Sequence, residues 1–190
     1  MKIFAYNVEG LKSALSENSF VNYIKLYDII ILTETWSQNY DKDLLQDYIH
    51  YCVRGYKKGS RGHHNGGISI FVKNVLAPMI TNCKKVDNSI FLIFKNHHIF
   101  NCINPVIVGG CYLPPEGSTY YDNKNGPETL EETITELTKT YNDPYLLIFG
   151  DFKARTGRRD DFIYDDTSDN LPIDDWYHSN DFKIPQKVKR

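Results

Sequence analysis

Leu146-Leu147-Ile148-Phe149 is an unbroken apolar run that stops abruptly at Gly150-Asp151. Four consecutive large apolar side chains leave no polar face for solvent, which predicts a strand buried on both faces. Gly150 lets the backbone turn, and Asp151 then stands at the strand's C-terminal edge, where layered α/β folds bind ligands. A carboxylate there suits a hard cation such as Mg²⁺, which takes oxygen ligands and usually only one or two carboxylates. The same aspartate would serve equally well as an Asx turn closing the next loop. This stretch alone leaves both readings open.

Other runs end in a similar way. Lys2 to Tyr6 reads as a strand, with Asn7-Val8-Glu9-Gly10-Leu11 as the turn after it. Asp28-Ile29-Ile30-Ile31-Leu32 reads as a buried strand that delivers Glu34 to its C-terminal end, over the sheet edge. An exposed loop acid is the plainer alternative for Glu34. Val106 to Tyr112 is a strand stopped by Pro114-Pro115, which leaves Tyr112 at its rim. Tyr112 is then either a core tyrosine or one aimed at a substrate phosphate. Residues 50–54 and 68–73 are further strands. Ser89 to Phe94 and His98 to Ile103 look like a hairpin turning at Lys95-Asn96-His97.

Helical signals are fewer. One segment fits from Asn18 or Ser19, with Phe20, Val21 and Ile24 on one face. The clearest follows Pro127, with Glu128, Glu131 and Glu132 in the first turns and Leu130, Ile134, Leu137 and Tyr141 at 4-3-4 spacing. About eight strands and two helices are not a regular βαβ alternation. They predict an α/β sandwich, two packed sheets with helices outside.

At 190 residues the chain has room for one domain with a real core. Its net charge of -2 carries no general nucleic-acid signature, so contact with a polyanion would fall to local patches. One such patch is the glycine-rich loop holding Lys57, Lys58 and Arg61, which reads either as a phosphate-meeting loop or as a solvated hairpin loop. His63 and His64 in the same loop lack the spaced partners of a zinc site. Cys52, Cys83, Cys102 and Cys111 show no metal spacing and read as free thiols of a reducing compartment. The aspartate-rich stretch 158–175 lacks the ligand spacing of a calcium loop and reads as a solvated excursion. No segment reaches transmembrane length. The expectation is an intracellular monomer, cytoplasmic or nuclear, with a domain over 1–165 and a partly irregular acidic-to-basic tail over 166–190.

Five motifs taken together carry a resemblance. Asn7-Val8-Glu9-Gly10-Leu11, Leu32-Thr33-Glu34-Thr35-Trp36, Gly66-Gly67-Ile68-Ser69-Ile70-Phe71, Tyr112-Leu113-Pro114-Pro115 and Gly150-Asp151-Phe152-Lys153-Ala154-Arg155-Thr156-Gly157 follow one another as in the endonuclease/exonuclease/phosphatase superfamily. The chain most resembles the apurinic-endonuclease-like domain of non-LTR retrotransposons. The resemblance implies a four-layer α/β sandwich and Mg²⁺-dependent cleavage of a phosphodiester in DNA. It implies Glu34 as the principal metal ligand and Asn7 as a residue that positions the metal or the phosphate. Tyr112 would contact the scissile phosphate, and Asp151 would orient or deprotonate the attacking water. Lys153 stands where the family carries asparagine, exchanging an amide that donates and accepts for a cation that only donates. Lys153 would either bind the phosphate or intrude on the metal. The family's later aspartate and its Ser-Asp-His motif have no counterpart up to Arg190, and His178 does not fit that motif. The expectation is therefore a sandwich lacking its C-terminal strands. The function is either an impaired endonuclease or a non-catalytic remnant that binds nucleic acid or protein weakly. A phosphatase of the same superfamily is a third possibility.

Overall fold

A computed structural model describes residues 1–37, 44–57, 64–95, 100, 102–115, 118 and 126–152. The elements in order are β1 (Ile3–Asn7), α1 (Leu11–Ser16), α2 (Asn18–Ile24), β2 (Ile29–Thr33), β3 (Tyr48–Val53), β4 (Tyr56–Lys57), β5 (His64–Asn65), β6 (Ile68–Lys73), β7 (Ile80–Val86), β8 (Ser89–Phe94), β9 (Val106–Leu113), α3 (Gly126–Thr140) and β10 (Tyr145–Phe152). The large strands build two four-stranded sheets, ordered β1-β2-β6-β3 and β10-β9-β8-β7, while β4 and β5 form a small ribbon. Each sheet is mixed: β1 runs parallel to β2 and β10 parallel to β9, and the other neighbours are antiparallel.

Alternation along the central strands sorts side chains into four layers. Ile29 and Ile31 of β2 with Ile68, Ile70 and Val72 of β6 meet Ile90, Leu92, Phe94, Val106 and Val108 of the other sheet, forming the core between the sheets. Ile30, Leu32 and Phe71 point the opposite way, where α1 and α2 cover them with Leu11 and Ile24. On the far side, Phe91, Ile93, Ile107 and Cys111 are covered by Leu130, Ile134 and Leu137 of α3. The expected α/β sandwich with outer helices is what these residues form. The long helix also behaves as its charges require, with Glu128 in the first turn and Lys139 in the last complementing the peptide dipoles.

Three expectations need correction. The partner of β8 is β7, upstream of it, through the two-residue turn Asp87-Asn88, where Asp87 takes φ 46°. Phe100 and Cys102 to Asn104 are not strand. The sequence hid β7 because it is an edge strand of partly exposed residues, where Lys84 and Lys85 interrupt the apolar pattern. Second, Leu11, read as the last residue of a turn, instead begins a helix that runs to Ser16 and is anchored by its own burial. Third, β10 is not buried on both faces. Among the described residues it pairs on one side only, with β9, and Leu147 is 37% exposed. Leu146 and Ile148 pack under α3, so the apolar run marks one well-covered face and one half-covered one.

The four cysteines are free. Burial pushes the Cys111 thiol up to about 11, which leaves it protonated and unreactive at neutral pH. Among the described residues no helix is long and apolar enough to cross a membrane.

Candidate active site

The four strands singled out by their terminal residues place them at one edge of the sandwich. β1 and β2 are parallel and in register, with Asn7 opposite Thr33, so Asn7 and Glu34 leave their sheet side by side. β9 and β10 are parallel with Tyr112 opposite Asp151, so this pair leaves the second sheet together. The two pairs meet. Asn7 Nδ2 donates to Asp151 Oδ2 at 2.7 Å, a bond between residues of different sheets. Asn7 is oriented from its own side as well, because Oδ1 accepts the Glu9 N–H at 3.2 Å. An open cleft of about 400 Å³ lies beside this bond, lined by Ala5, Tyr6, Asn7, Ile31, Thr33, Gly150 and Asp151.

Glu34 is only 8% exposed. It takes a left-handed φ of 51°, a conformation costly for a side chain with a Cβ and kept only where neighbours enforce it. The enforcement is visible in the main chain. The Glu34 carbonyl accepts the Gly10 N–H at 2.9 Å, the Thr35 carbonyl accepts the Leu11 N–H at 2.9 Å, and Trp36 N–H donates to the Gly66 carbonyl at 3.0 Å. Gly66 and Gly67 can make this turn because both have positive φ, 67° and 84°, and neither has room for a methyl group. A Cβ on Gly66 would lie 2.9 Å from the Tyr112 ring, and one on Gly67 would lie 2.6 Å from Thr35 Oγ1.

Tyr112 connects these features. Burial, then the negative charges of Glu34, Tyr56 and Asp151, and the hydrogen bond to the Glu34 carboxylate all push its phenol far above the ordinary range. It is therefore a protonated donor at any physiological pH, packed into the core between the sheets with its hydroxyl turned to Glu34.

The remaining candidates fare differently. His64 is in the β4–β5 ribbon with Nδ1 against the Gly55 carbonyl at 3.1 Å. Lys57 ends β4 in the same ribbon, paired with His64. Lys58, Arg61, His63, Lys153 and His178 lie outside the described residues. Sequence reasoning missed Tyr56, whose hydroxyl meets Ser118 Oγ at 3.2 Å and whose ring borders Gly66. It also gave no role to Thr35, 2% exposed, whose Oγ1 meets no hydrogen-bond partner among the described residues. Thr35 reaches this edge beside Glu34 in its motif, whereas no local pattern marks Tyr56.

Among the described residues no cluster of three or more His, Cys, Asp or Glu could hold a metal ion. The donor set at the strand ends nevertheless fits a hard cation. Glu34, Asp151 and Asn7 offer only oxygen donors to it, and Mg²⁺ typically uses one or two carboxylates with water and substrate oxygens completing its shell.

The family model described as the Endonuclease/Exonuclease/phosphatase family matches residues 4–187. This chain belongs to that family. No curated protein matches the sequence. Solved structures share the fold at low identity. An AP endonuclease from Leishmania major superposes with a TM-score of 0.58 at 13% identity, over 77% of this chain and 54% of that one. The human nocturnin catalytic domain gives 0.55 at 12% identity, over 82% and 64%. A 3′ phosphatase from Neisseria bound to a product DNA hairpin gives 0.54 at 16% identity, over 80% and 58%. The family member described here thus spans little more than half the length of these structures.

Proposed function

We propose that this chain hydrolyses a phosphodiester bond in DNA with the help of a divalent cation, Mg²⁺ in the first instance. The observation that carries the reading is the meeting of four strand ends. The Asn7–Asp151 bond at 2.7 Å ties one sheet to the other, and Tyr112 lies against Glu34 beside it. Family membership supports the reaction class. The order of the five motifs supports the narrower reading of an endonuclease domain of the non-LTR retrotransposon type.

Glu34 and Asn7 would hold the cation, Glu34 through its carboxylate and Asn7 through its amide oxygen. Held there, such an ion would supply positive charge to offset that developing on the phosphate and the leaving oxygen. The protein's own groups do the rest. Asp151, oriented by the Asn7 amide, accepts the proton of the attacking water as general base. Tyr112, kept protonated, donates to a non-bridging oxygen of the scissile phosphate. Lys153, one residue beyond β10, is read as a further phosphate contact.

The test is plasmid nicking by the purified chain with Mg²⁺, beside Glu34→Ala and Lys153→Asn. Removing the metal with EDTA and removing the Glu34 carboxylate should each abolish nicking, at least a hundredfold. Faster nicking by Lys153→Asn than by the wild type would identify the lysine as an impediment instead of a contact. If the folded wild type and Lys153→Asn both leave DNA intact with Mg²⁺ and with Mn²⁺, the hydrolytic reading fails and a non-catalytic module takes its place.

A further inference from the structure

Behind the rim that carries Tyr112 is a polar feature that the proposed chemistry does not use. Asn88 closes the β7–β8 turn and is only 5% exposed. Its main-chain carbonyl accepts the Tyr112 N–H at 2.9 Å, so the position of this turn sets the height of Tyr112 above the sheet. Its side chain makes an opposite demand. Among the described residues Nδ2 is buried and meets no hydrogen-bond partner, a state that folded proteins rarely tolerate.

Asn88 lines a cavity of about 10 Å³ with Asp87, Tyr112, Thr129 and Thr133 and with Gly126 at the start of α3. That volume is close to what one water molecule needs. The lining also offers an acceptor. Thr133 is buried, and its hydroxyl gives its proton to the Thr129 carbonyl at 2.7 Å, which leaves the oxygen's lone pairs to receive a bond. The cavity is thus lined by a donor on the turn and an acceptor on the helix, and its volume suits a single oxygen.

We propose that one water molecule bridges Asn88 Nδ2 to Thr133 Oγ1, and that Asn88 is thereby a positioning residue that holds Tyr112 against Glu34. The bridge ties the β7–β8 turn to α3, and through the Asn88 carbonyl it ties α3 to the rim of the site. The water is independent of the hydrolytic reading. What the fixed Tyr112 is for rests on that reading.

The experiment compares the wild type with Asn88→Ala and with Thr133→Val, which keeps the volume of threonine and so preserves the fold if Asn88→Ala does not. Hydrogen exchange at the Tyr112 amide should speed up about five- to tenfold in either variant, and no further in the double variant, because both substitutions break one bridge. A crystal structure should show one ordered water between the two side chains. Unchanged exchange in Thr133→Val, multiplying effects in the double variant or a dry cavity would each overturn the proposal. A chain that leaves DNA intact would sink the hydrolytic reading, while these three readouts would still decide the bridge.

Discussion

Tyr112 is the residue whose setting says most about this molecule. A tyrosine at a strand rim is ambiguous in sequence, and the fold gives it both settings: its ring packs in the core between the sheets and its hydroxyl meets Glu34. Its phenol is raised above the ordinary range, so the folded state holds that proton more tightly than the unfolded chain does. The stabilisation is therefore complete below the unfolded phenol value of about 10 and is lost as the pH rises through it. Denaturation between pH 8 and 11 should show the advantage of the wild type over Tyr112→Phe shrinking towards alkaline pH. An advantage that grows would contradict the assigned environment. Gly150 makes a second, steric prediction. A Cβ there would lie 1.9 Å from the Cys111 carbonyl oxygen, inside any possible contact. Gly150→Ala should cost about 2–4 kcal/mol in urea unfolding and displace Asp151 from Asn7, so a variant as stable as the wild type would refute the close β9–β10 approach. The glycine and the aspartate were legible as a motif, whereas the reason that only glycine fits lies on a different strand.

At the scale of elements, legibility followed how completely each segment is covered. The strands β2, β6, β8 and β9 are buried throughout or nearly so, and each reads as an apolar run. The α3 helix shows its stripe because its inner side meets the second sheet. Leu137 is the most buried leucine of that stripe, and Leu137→Ala should cost about 2–5 kcal/mol in thermal or urea unfolding. A loss below about 1 kcal/mol would mean that α3 is not seated as described. The segments misread were those with a mixed environment. The strand β7, at the sheet's end, mixes apolar residues with Thr81, Asn82, Lys84 and Lys85, and β10 looks central by composition while one of its faces is partly exposed. Composition reports how apolar a segment is and says little about which neighbours it obtains.

The whole molecule is held by the layer between its sheets. Ile31 and Ile70 reach from one sheet to the ordinary position of a side chain on the other, at Gly110 of β9. Ile70→Ala should therefore destabilise by about 2–5 kcal/mol and weaken the registration of both strand-end pairs. Proton exchange at Asn7 and Tyr112 would rise together in that variant, and independent responses would argue against a shared frame. By itself, the sequence determined which segments are strands and helices where burial is uniform, and which residue types stand at the strand ends. It also determined, through ordered motifs, the family. Tertiary structure alone decided that Asn7 and Asp151, 144 positions apart, share a hydrogen bond. It also decided that the β7–β8 turn supports Tyr112 and that β10 pairs on one side only among the described residues. The division has a physical cause. Local periodicity records how much of a segment is shielded from water, but strand pairing and sheet packing are set by long-range fit among faces that look alike in sequence.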